Sequence, residues 1–309
     1  MTGKVNQEYE VIIIGGGPAG LAAGLYTSRA RLSSLLIERG LVGGQIADAE
    51  LVENYPGFAQ GISGLELGQS MHQQATKYGL NTVIAEATGI ELKGKKKVVK
   101  TSKGNFTTKA VIIASGSERR KLGIPGEEKL TGRGVSYCAT CDAPFFKEKP
   151  VVVVGGGDAA ITEALYLVKF ASRVIVIHRR DQLRASRILE EKALAEPKME
   201  FLWNSVVEAV EGEDVVKRLS LRQVITGKKS TLDVAGVFIA IGLKPSTDYL
   251  KGVLPLDEAG YIITNDKMET EIPGIFAAGD IRLNSARQAI TAAGDGATAA
   301  IFAEKFLSR

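Results

Sequence analysis

Four apolar residues in a row, 11–14, run into Gly15-Gly16-Gly17-Pro18 and then into an Ala-rich stretch with helical spacing. The pattern returns 140 residues later as the apolar run 151–154, then Gly155-Gly156-Gly157-Asp158, then a second Ala-rich stretch. The register holds without a gap. Leu25-Tyr26 lies over Leu165-Tyr166, and the apolar run 35–37 lies over 175–177. A short apolar run bounded by turn residues predicts a buried strand, and apolar positions three and four apart predict a helix. Each copy therefore predicts strand, Gly-rich turn, helix and strand, the unit that binds dinucleotides at its turn. Three more apolar runs end in small residues, at 111–116, 237–242 and 275–280; a helical pattern at about 287–307 follows the last. Pro-containing, loop-like stretches after the first two (122–126 and 244–247) predict two crossings between domains. The expected fold class is α/β, with two Rossmann-like three-layer domains, the smaller inserted in the larger. Residues 1–117 and 248–309 would form the first domain, and 118–247 the second.

A length of 309 residues suits two domains at about 150 each. Apolar residues at 45% and charged residues at 24% are ordinary globular values, which excludes disorder as the main state. The 35 glycines show no collagen-like period, so they belong at turns and close backbone approaches. With 39 basic and 35 acidic residues the net charge is +4, too even for a dedicated nucleic-acid binder. The one basic run, 93–97, predicts a solvated hairpin. Residues 11–28 carry no charge, but the glycines stop the apolar run after four residues, so neither a membrane span nor a signal peptide is expected. A soluble cytoplasmic protein is expected. Two cysteines make no disulfide scaffold, and with two distant histidines they make no four-ligand zinc site.

In the first copy, Gly15, Gly17 and Gly20 form G-x-G-x-x-G. Their roles there are the tight turn, the close approach of a pyrophosphate, and helix-on-strand packing. Glu38 ends the next strand, where a carboxylate accepts hydrogen bonds from a ribose 2′-OH. That points to FAD or NAD. In the second copy, Gly155, Gly157 and Ala160 form G-x-G-x-x-A, and the position of Glu38 is taken by His178, followed by Arg179, Arg180 and Arg184. Guanidinium groups bind a 2′-phosphate that an acid would repel, so this copy reads as an NADP(H) site. Asp280, at the end of the run 275–280, suits a polyol chain as a hydrogen-bond acceptor, and suits a turn or cap equally. The helix near Arg287 would favour negative charge at its N-terminal end.

The only cysteines lie in Cys138-Ala139-Thr140-Cys141, followed by Asp142. C-x-x-C beside βαβ units points to a redox dithiol working by thiol–disulfide exchange. Two inert thiols are the alternative. Asp142 is a candidate proton donor or acceptor for the exchange, and equally a turn residue.

Together, Gly15 to Gly20, Cys138 to Asp142, His178-Arg179-Arg180 with Arg184, and Phe276 to Asp280 resemble the low-molecular-weight thioredoxin reductases in order and spacing. These are NADPH-dependent, FAD-containing pyridine nucleotide-disulfide oxidoreductases, and the resemblance covers essentially the whole chain. It implies a homodimer that moves electrons from NADPH through FAD and Cys138–Cys141 to the disulfide of thioredoxin. It implies that Cys141 lies nearer the flavin, that Cys138 attacks thioredoxin, and that Asp142 is the acid. FAD contacts carry over to Gly15, Gly17, Pro18, Ala19, Gly20, Glu38, Gly44, Gln45, Asn54, Asp280, Arg287, Gln288 and Ala289. NADPH contacts carry over to Gly155, Gly157, Asp158, Ala160, His178, Arg179, Arg180 and Arg184. Arg133 matches a position that meets thioredoxin. The resemblance also implies rotation of the smaller domain about linkers near 115–121 and 242–248. Pro144 departs from the family pattern and leaves the docking role of Phe145 and Phe146 open. A reductase of another disulfide protein, and a flavin dithiol oxidase, are the alternative activities.

Overall fold

The alternation of side chains along each central strand divides the chain's apolar residues between two opposite layers. The computed structural model describes residues 7–49 and 51–308. The outermost residues of the expected first domain, 1–6 and 309, lie outside them. Its α-helices are α1 (Pro18–Arg29), α2 (Gly64–Thr76), α3 (Ala139–Asp142), α4 (Asp158–Leu167), α5 (Arg187–Leu194) and α6 (Ala289–Leu307). The chain divides into two compact units, Met1–Glu118 with Lys244–Arg309, and Arg119–Leu243.

In the larger unit, strand Gln7–Ile14 pairs in parallel with Ser34–Glu38 on one side and Gly104–Ile113 on the other. Asn81–Ile84 extends the sheet in parallel beyond Ser34–Glu38. Gly104–Ile113 also serves two further partners: its first half pairs antiparallel with Lys96–Thr101, its second half in parallel with Ile275–Ala277. Val11 and Ile13 face a helical layer built from α1 and α6 together with Ala75 of α2. Ile12 and Ile14 face the opposite layer, which holds Ile90, Val99, Leu250 and Ile262. A strand covered on both faces must be apolar at every position, which is why residues 11–14 form an unbroken run.

The smaller unit repeats this plan. Its five parallel strands are ordered Met199–Leu202, Arg173–Ile177, Pro150–Val154, Gly236–Ile239 and Val135–Ser136. Val151 and Val153 pack against α4 and the alanines at the ends of α3. Val152 and Val154 pack toward an antiparallel sheet of Ser205–Glu211, Arg218–Gln223 and Lys229–Asp233. No described helix is long and apolar enough to cross a membrane.

Three expectations need correction. Only the second of the two loop-like stretches departs from a simple loop: Ser117–Arg119 pairs with Leu243–Pro245 as a two-stranded ribbon, while 122–126 holds no helix or strand. That stretch is pinned by Glu127, whose carboxylate accepts the N–H groups of Leu122 and Gly123 at 2.9 and 2.7 Å. The basic hairpin forms, with Lys93 opposite Lys96, but it is not uniformly solvated. Lys97 is 4% exposed; its Nζ donates to the Lys109 carbonyl at 2.8 Å and lies 5.2 Å from the Phe306 ring centre. Strand alternation turns it inward, and burial lowers its ammonium pKa. The last helix begins at Ala289 rather than 287, because Arg287 takes a left-handed backbone conformation (φ 57°) and Gln288 is the extended N-cap.

Candidate active site

The turn after strand Gln7–Ile14 has no room for side chains beneath it and open space above it. A Cβ on Gly20 would lie 1.8 Å from the Gly15 carbonyl oxygen, so α1 starts directly on the strand end. A Cβ on Gly17 would meet nothing nearer than 3.9 Å. Gly17 caps α1 without a side-chain hydrogen bond, Pro18 occupies the first turn, and no acid stands there. The free N–H groups and the helix dipole therefore present a positive end to an anion. Glu38 is drawn in beside this turn: its Oε2 accepts the Gly16 N–H at 2.6 Å and its Oε1 the Gly40 N–H at 2.8 Å. Carboxylate lone pairs remain for a ribose hydroxyl.

Residues distant in sequence gather at the same end of the unit. The Gly43 N–H donates to Gly16 O at 2.8 Å, and a Cβ on Gly44 would lie 2.8 Å from the Gly17 Cα. The Gln45 amide donates to the Ser117 carbonyl. From the chain's other end, a Cβ on Gly279 would lie 3.0 Å from Ala19 Cβ and 3.4 Å from Ala292 Cβ. The start of α1, Asp280 and the first turns of α6 (from Ala289) thus converge. Asp280 accepts the Ser285 hydroxyl at 3.0 Å. The Asn54 amide donates to Gln288 at 3.2 Å, and the Arg287 guanidinium lies 5.9 Å from the Tyr261 ring centre. Asp295 of α6 holds this corner: it accepts two bonds from Arg282, at 2.6 and 3.0 Å, and the Gly279 N–H at 3.1 Å. The open turn, the uncapped helix, the neighbouring acid and the acceptors opposite fit a dinucleotide whose ribose carries no 2′-phosphate, such as FAD.

The second turn differs in its chemistry. Gly155 is again closed from below, with a Cβ position 2.4 Å from the Ala240 carbonyl oxygen and 2.7 Å from Ala160 Cβ. Gly157 has nothing within 4 Å. Asp158 opens α4 and accepts the Ser186 N–H at 2.7 Å. The Arg184 N–H donates to Gly156 O at 2.6 Å, tying the basic loop to the glycines. Arg179, Arg180 and Arg184 are exposed. His178 is set apart from them: it is buried against Gly156, where a Cβ would come 2.4 Å from the ring. Burial, and then the charges of Arg184, Arg180 and Arg179, lower its pKa, so the ring is neutral at pH 7. Its Nε2 is buried without a hydrogen-bond partner among the described residues. An open glycine turn, an orphaned imidazole nitrogen and three exposed guanidiniums fit a dinucleotide that carries a 2′-phosphate.

In the smaller unit Cys138 and Cys141 form a disulfide, with Cα atoms 5.3 Å apart. Cys138 is the N-cap of the single turn α3, and its carbonyl accepts the N–H groups of Cys141 and Asp142. Asp142 ends that turn. Its Oδ2 accepts the Ser136 hydroxyl at 2.5 Å, and the Ser136 oxygen accepts the Cys138 N–H at 3.1 Å. Burial pushes the Asp142 carboxyl above its usual range, against the opposing pull of Ser136 and Arg119. Phe145 is exposed, whereas Phe146 is core, edge-on to Phe238 at 5.3 Å. Arg133 is exposed.

Sequence reasoning missed Ser136, which has no pattern to mark it. It also missed the Tyr137 hydroxyl bond to Glu127 at 2.7 Å and the half-buried Glu163 of α4, whose Oε2 is buried. A charged residue on the inner side of an Ala-rich helix was the available signal for Glu163.

Comparison with known proteins gives the family. The family model described as pyridine nucleotide-disulphide oxidoreductase matches residues 9–296. A thioredoxin reductase of Bacillus subtilis is 51% identical over 294 residues, covering 94% of this chain and 92% of its own. One from Peptoclostridium acidaminophilum is 47% identical over 305 residues, covering 97% of each chain. The crystal structure of thioredoxin reductase from Streptococcus pyogenes superposes with a TM-score of 0.95 at 45% identity, covering 98% of this chain and 99% of that one. Flavin and nicotinamide cofactors accompany this family, and a glycine turn of matching chemistry exists here for each. The chain belongs to the pyridine nucleotide-disulphide oxidoreductase family.

Proposed function

We propose that this chain is an NADPH-dependent thioredoxin-disulfide reductase. The observation that carries the reading is the Cys138–Cys141 disulfide, closed around one helical turn with a half-buried acid at its end. FAD would be held by Gly15, Gly17, Pro18, Ala19, Gly20, Glu38, Gly44, Gln45, Asn54, Asp280, Arg287, Gln288 and Ala289. NADPH would be held by Gly155, Gly157, Asp158, Ala160, His178, Arg179, Arg180 and Arg184. The larger unit is thus the flavin domain and the smaller one the NADPH and dithiol domain. FAD, when bound, supplies the two-electron link between NADPH and the disulfide.

The chain's own residues do the exchange chemistry. In the reduced dithiol the Cys138 sulfur, half-buried at the start of α3, attacks the substrate disulfide as a thiolate. A mixed disulfide forms and one substrate thiolate leaves. Asp142, protonated more readily than an ordinary carboxyl because it is buried, gives that thiolate its proton. Cys141 then passes its proton to Asp142 and attacks Cys138, which closes the disulfide and expels the second substrate thiolate. Ser136 holds the carboxyl and the Cys138 backbone in one geometry throughout. Arg133 and Phe145 stand exposed in the same unit as contacts for thioredoxin. Gly116 and Gly242, both at positive φ, are the hinges of the two linkers about which the smaller domain turns. The reading includes a homodimer working in the cytoplasm.

An anaerobic NADPH titration followed in the flavin band tests this. Uptake of two reducing equivalents beyond those of the flavin, lost in Cys141→Ser, is expected. An endpoint at the flavin alone in the unaltered chain would overturn the reading.

A further inference from the structure

One fully buried acid lies close to the disulfide and takes no part in the exchange chemistry. Glu127 is 2% exposed. Its Oε1 accepts the Leu122 N–H at 2.9 Å and the Tyr137 hydroxyl at 2.7 Å. Its Oε2 accepts the N–H groups of Gly123 and Ile124 at 2.7 and 3.4 Å. Burial alone would raise the pKa of this carboxyl, but the four bonds outweigh it and hold the group below the ordinary carboxylate range. One ionised carboxylate thus ties two segments to a single point. The first is the loop 122–124, by which the chain enters the smaller unit; the second is Tyr137, the residue before Cys138.

Cys138 stands where such a tie matters. The strand that leads to it, Val135–Ser136, is two residues long and lies at the edge of its sheet, paired with Gly236–Ile239. Short edge pairings open locally at small cost. On its other side the turn α3 is packed into the core through Ala139 and Ala143. Cys138 is the extended N-cap between the two, so its backbone direction is set by the residues that precede it. The Ser136 hydroxyl oxygen accepts its N–H, but Ser136 belongs to the same short strand. The bond from Tyr137 to Glu127 reaches outside that strand.

We propose that Glu127 is a positioning residue for thiol–disulfide exchange: through Tyr137 it fixes Cys138, and so sets both the closing of the Cys138–Cys141 disulfide and the attack of Cys138 on a docked substrate. The inference rests on the proposed function for the second effect only. Closing forms one S–S bond. The two thiols give up two protons, and their two electrons pass to a disulfide oxidant, which leaves as two thiols. The equilibrium depends on the effective concentration of one sulfur at the other. Releasing Tyr137 gives Cys138 more freedom in the dithiol, lowers that concentration, and makes the disulfide easier to reduce.

The test is the dithiol–disulfide equilibrium of the flavin-loaded full chain, poised in glutathione buffers without oxygen, quenched with acid and read by alkylation and mass. Tyr137→Phe removes the hydroxyl alone and keeps the ring, whose centre lies 5.5 Å from the Arg119 guanidinium. The constant for closure should fall about tenfold, a rise of about 30 mV in reduction potential. Glu127→Ala should shift it at least as far, and adding Tyr137→Phe should change nothing further, because both cut one bond. The kcat for thioredoxin should fall roughly 10- to 100-fold in Tyr137→Phe, with little change in KM. Alkylation of Cys138 by iodoacetamide, which needs no docking geometry, should stay nearly unchanged. A merely structural role would lower Tm and leave the closure constant where it was. An unchanged constant in Tyr137→Phe would overturn the inference, and that variant suffices if Glu127→Ala fails to fold. A shifted constant with the parent's kcat would overturn the part that concerns substrate attack. A shifted constant in a chain that reduces no thioredoxin would overturn the functional reading and leave the tie standing.

Discussion

The bond between Arg282 and Asp295 offers the sharpest mechanical test of the corner proposed to hold FAD. The two side chains are 19% and 11% exposed and meet at 2.6 and 3.0 Å, while Asp295 also accepts the Gly279 N–H. Asp295→Ala leaves a guanidinium largely buried without its counter-charge. Breaking a buried pair from one side costs about 3–5 kcal/mol. For a unit of this size each kcal/mol moves Tm by roughly 2–4 °C. The expected loss is therefore roughly 6–20 °C, read by calorimetry on the full chain. Arg282→Met should cost as much, because it strands the carboxylate instead. Arg282→Met with Asp295→Leu should recover part of the loss, since neither charge is then left unpaired. Flavin retention should fall in both single variants, because Gly279 and Asp280 are held to α6 through this bond. Single variants that melt within about 2 °C of the parent would refute the assignment of the pair as a buried strut.

Other outcomes follow from the same geometry. Arg179→Ala with Arg180→Ala should raise the NADPH KM roughly 10- to 100-fold, as charge-assisted bonds are lost, and leave the NADH KM nearly unchanged. Equal effects on both nucleotides would argue against a 2′-phosphate role. Gly296→Ala places a Cβ 1.9 Å from the Ala19 carbonyl oxygen and should cost about 1–3 kcal/mol by forcing α1 and α6 apart, measured by urea unfolding. Glu163 sets a pH slope on stability. Its folded pKa of about 7 lies above the unfolded value of 4.5, so the folded state holds a proton that the unfolded state releases. Stability should fall as pH rises from about 4.5 to about 7, by up to about 3 kcal/mol, and Glu163→Gln should flatten that fall. A parent chain that gains stability across this window would contradict the burial of that carboxyl.

The parts of the structure legible in the sequence are those written in consecutive residues. The runs 11–14 and 151–154 must be apolar throughout because both faces of their strands are covered. The glycines follow because a Cβ on Gly20 would run into the Gly15 carbonyl, and one on Gly155 into the Ala240 carbonyl and Ala160. Pairings between distant segments left no such trace. Asn54 meets Gln288, and Asp295 meets Arg282 and Gly279, through folding of segments with no shared pattern. Lys97 looked like one lysine among several in a basic hairpin, and only the strand's register turns it inward. His178 stood in line with three arginines, yet the end of its strand buries it while the loop carries theirs outward. Ser136 gains its role from a backbone turn that brings it to both Cys138 and Asp142.

The placing of Ile275–Ala277 beside Gly104–Ile113, and of α6 across α1, has a consequence for synthesis. The larger unit is closed by its last segment, so a chain emerging N-terminus first carries an incomplete sheet until nearly every residue has been made. During that time the second half of Gly104–Ile113 is an open, strongly apolar edge, the kind of surface on which nascent chains aggregate. The smaller unit is continuous in sequence, Arg119–Leu243, and carries no such debt. It is complete on the ribosome first, dithiol included, while the corner proposed to hold FAD waits for α6. Chains cut short before residue 275 should therefore keep the disulfide turn folded and accumulate as insoluble protein through the exposed edge of the larger sheet.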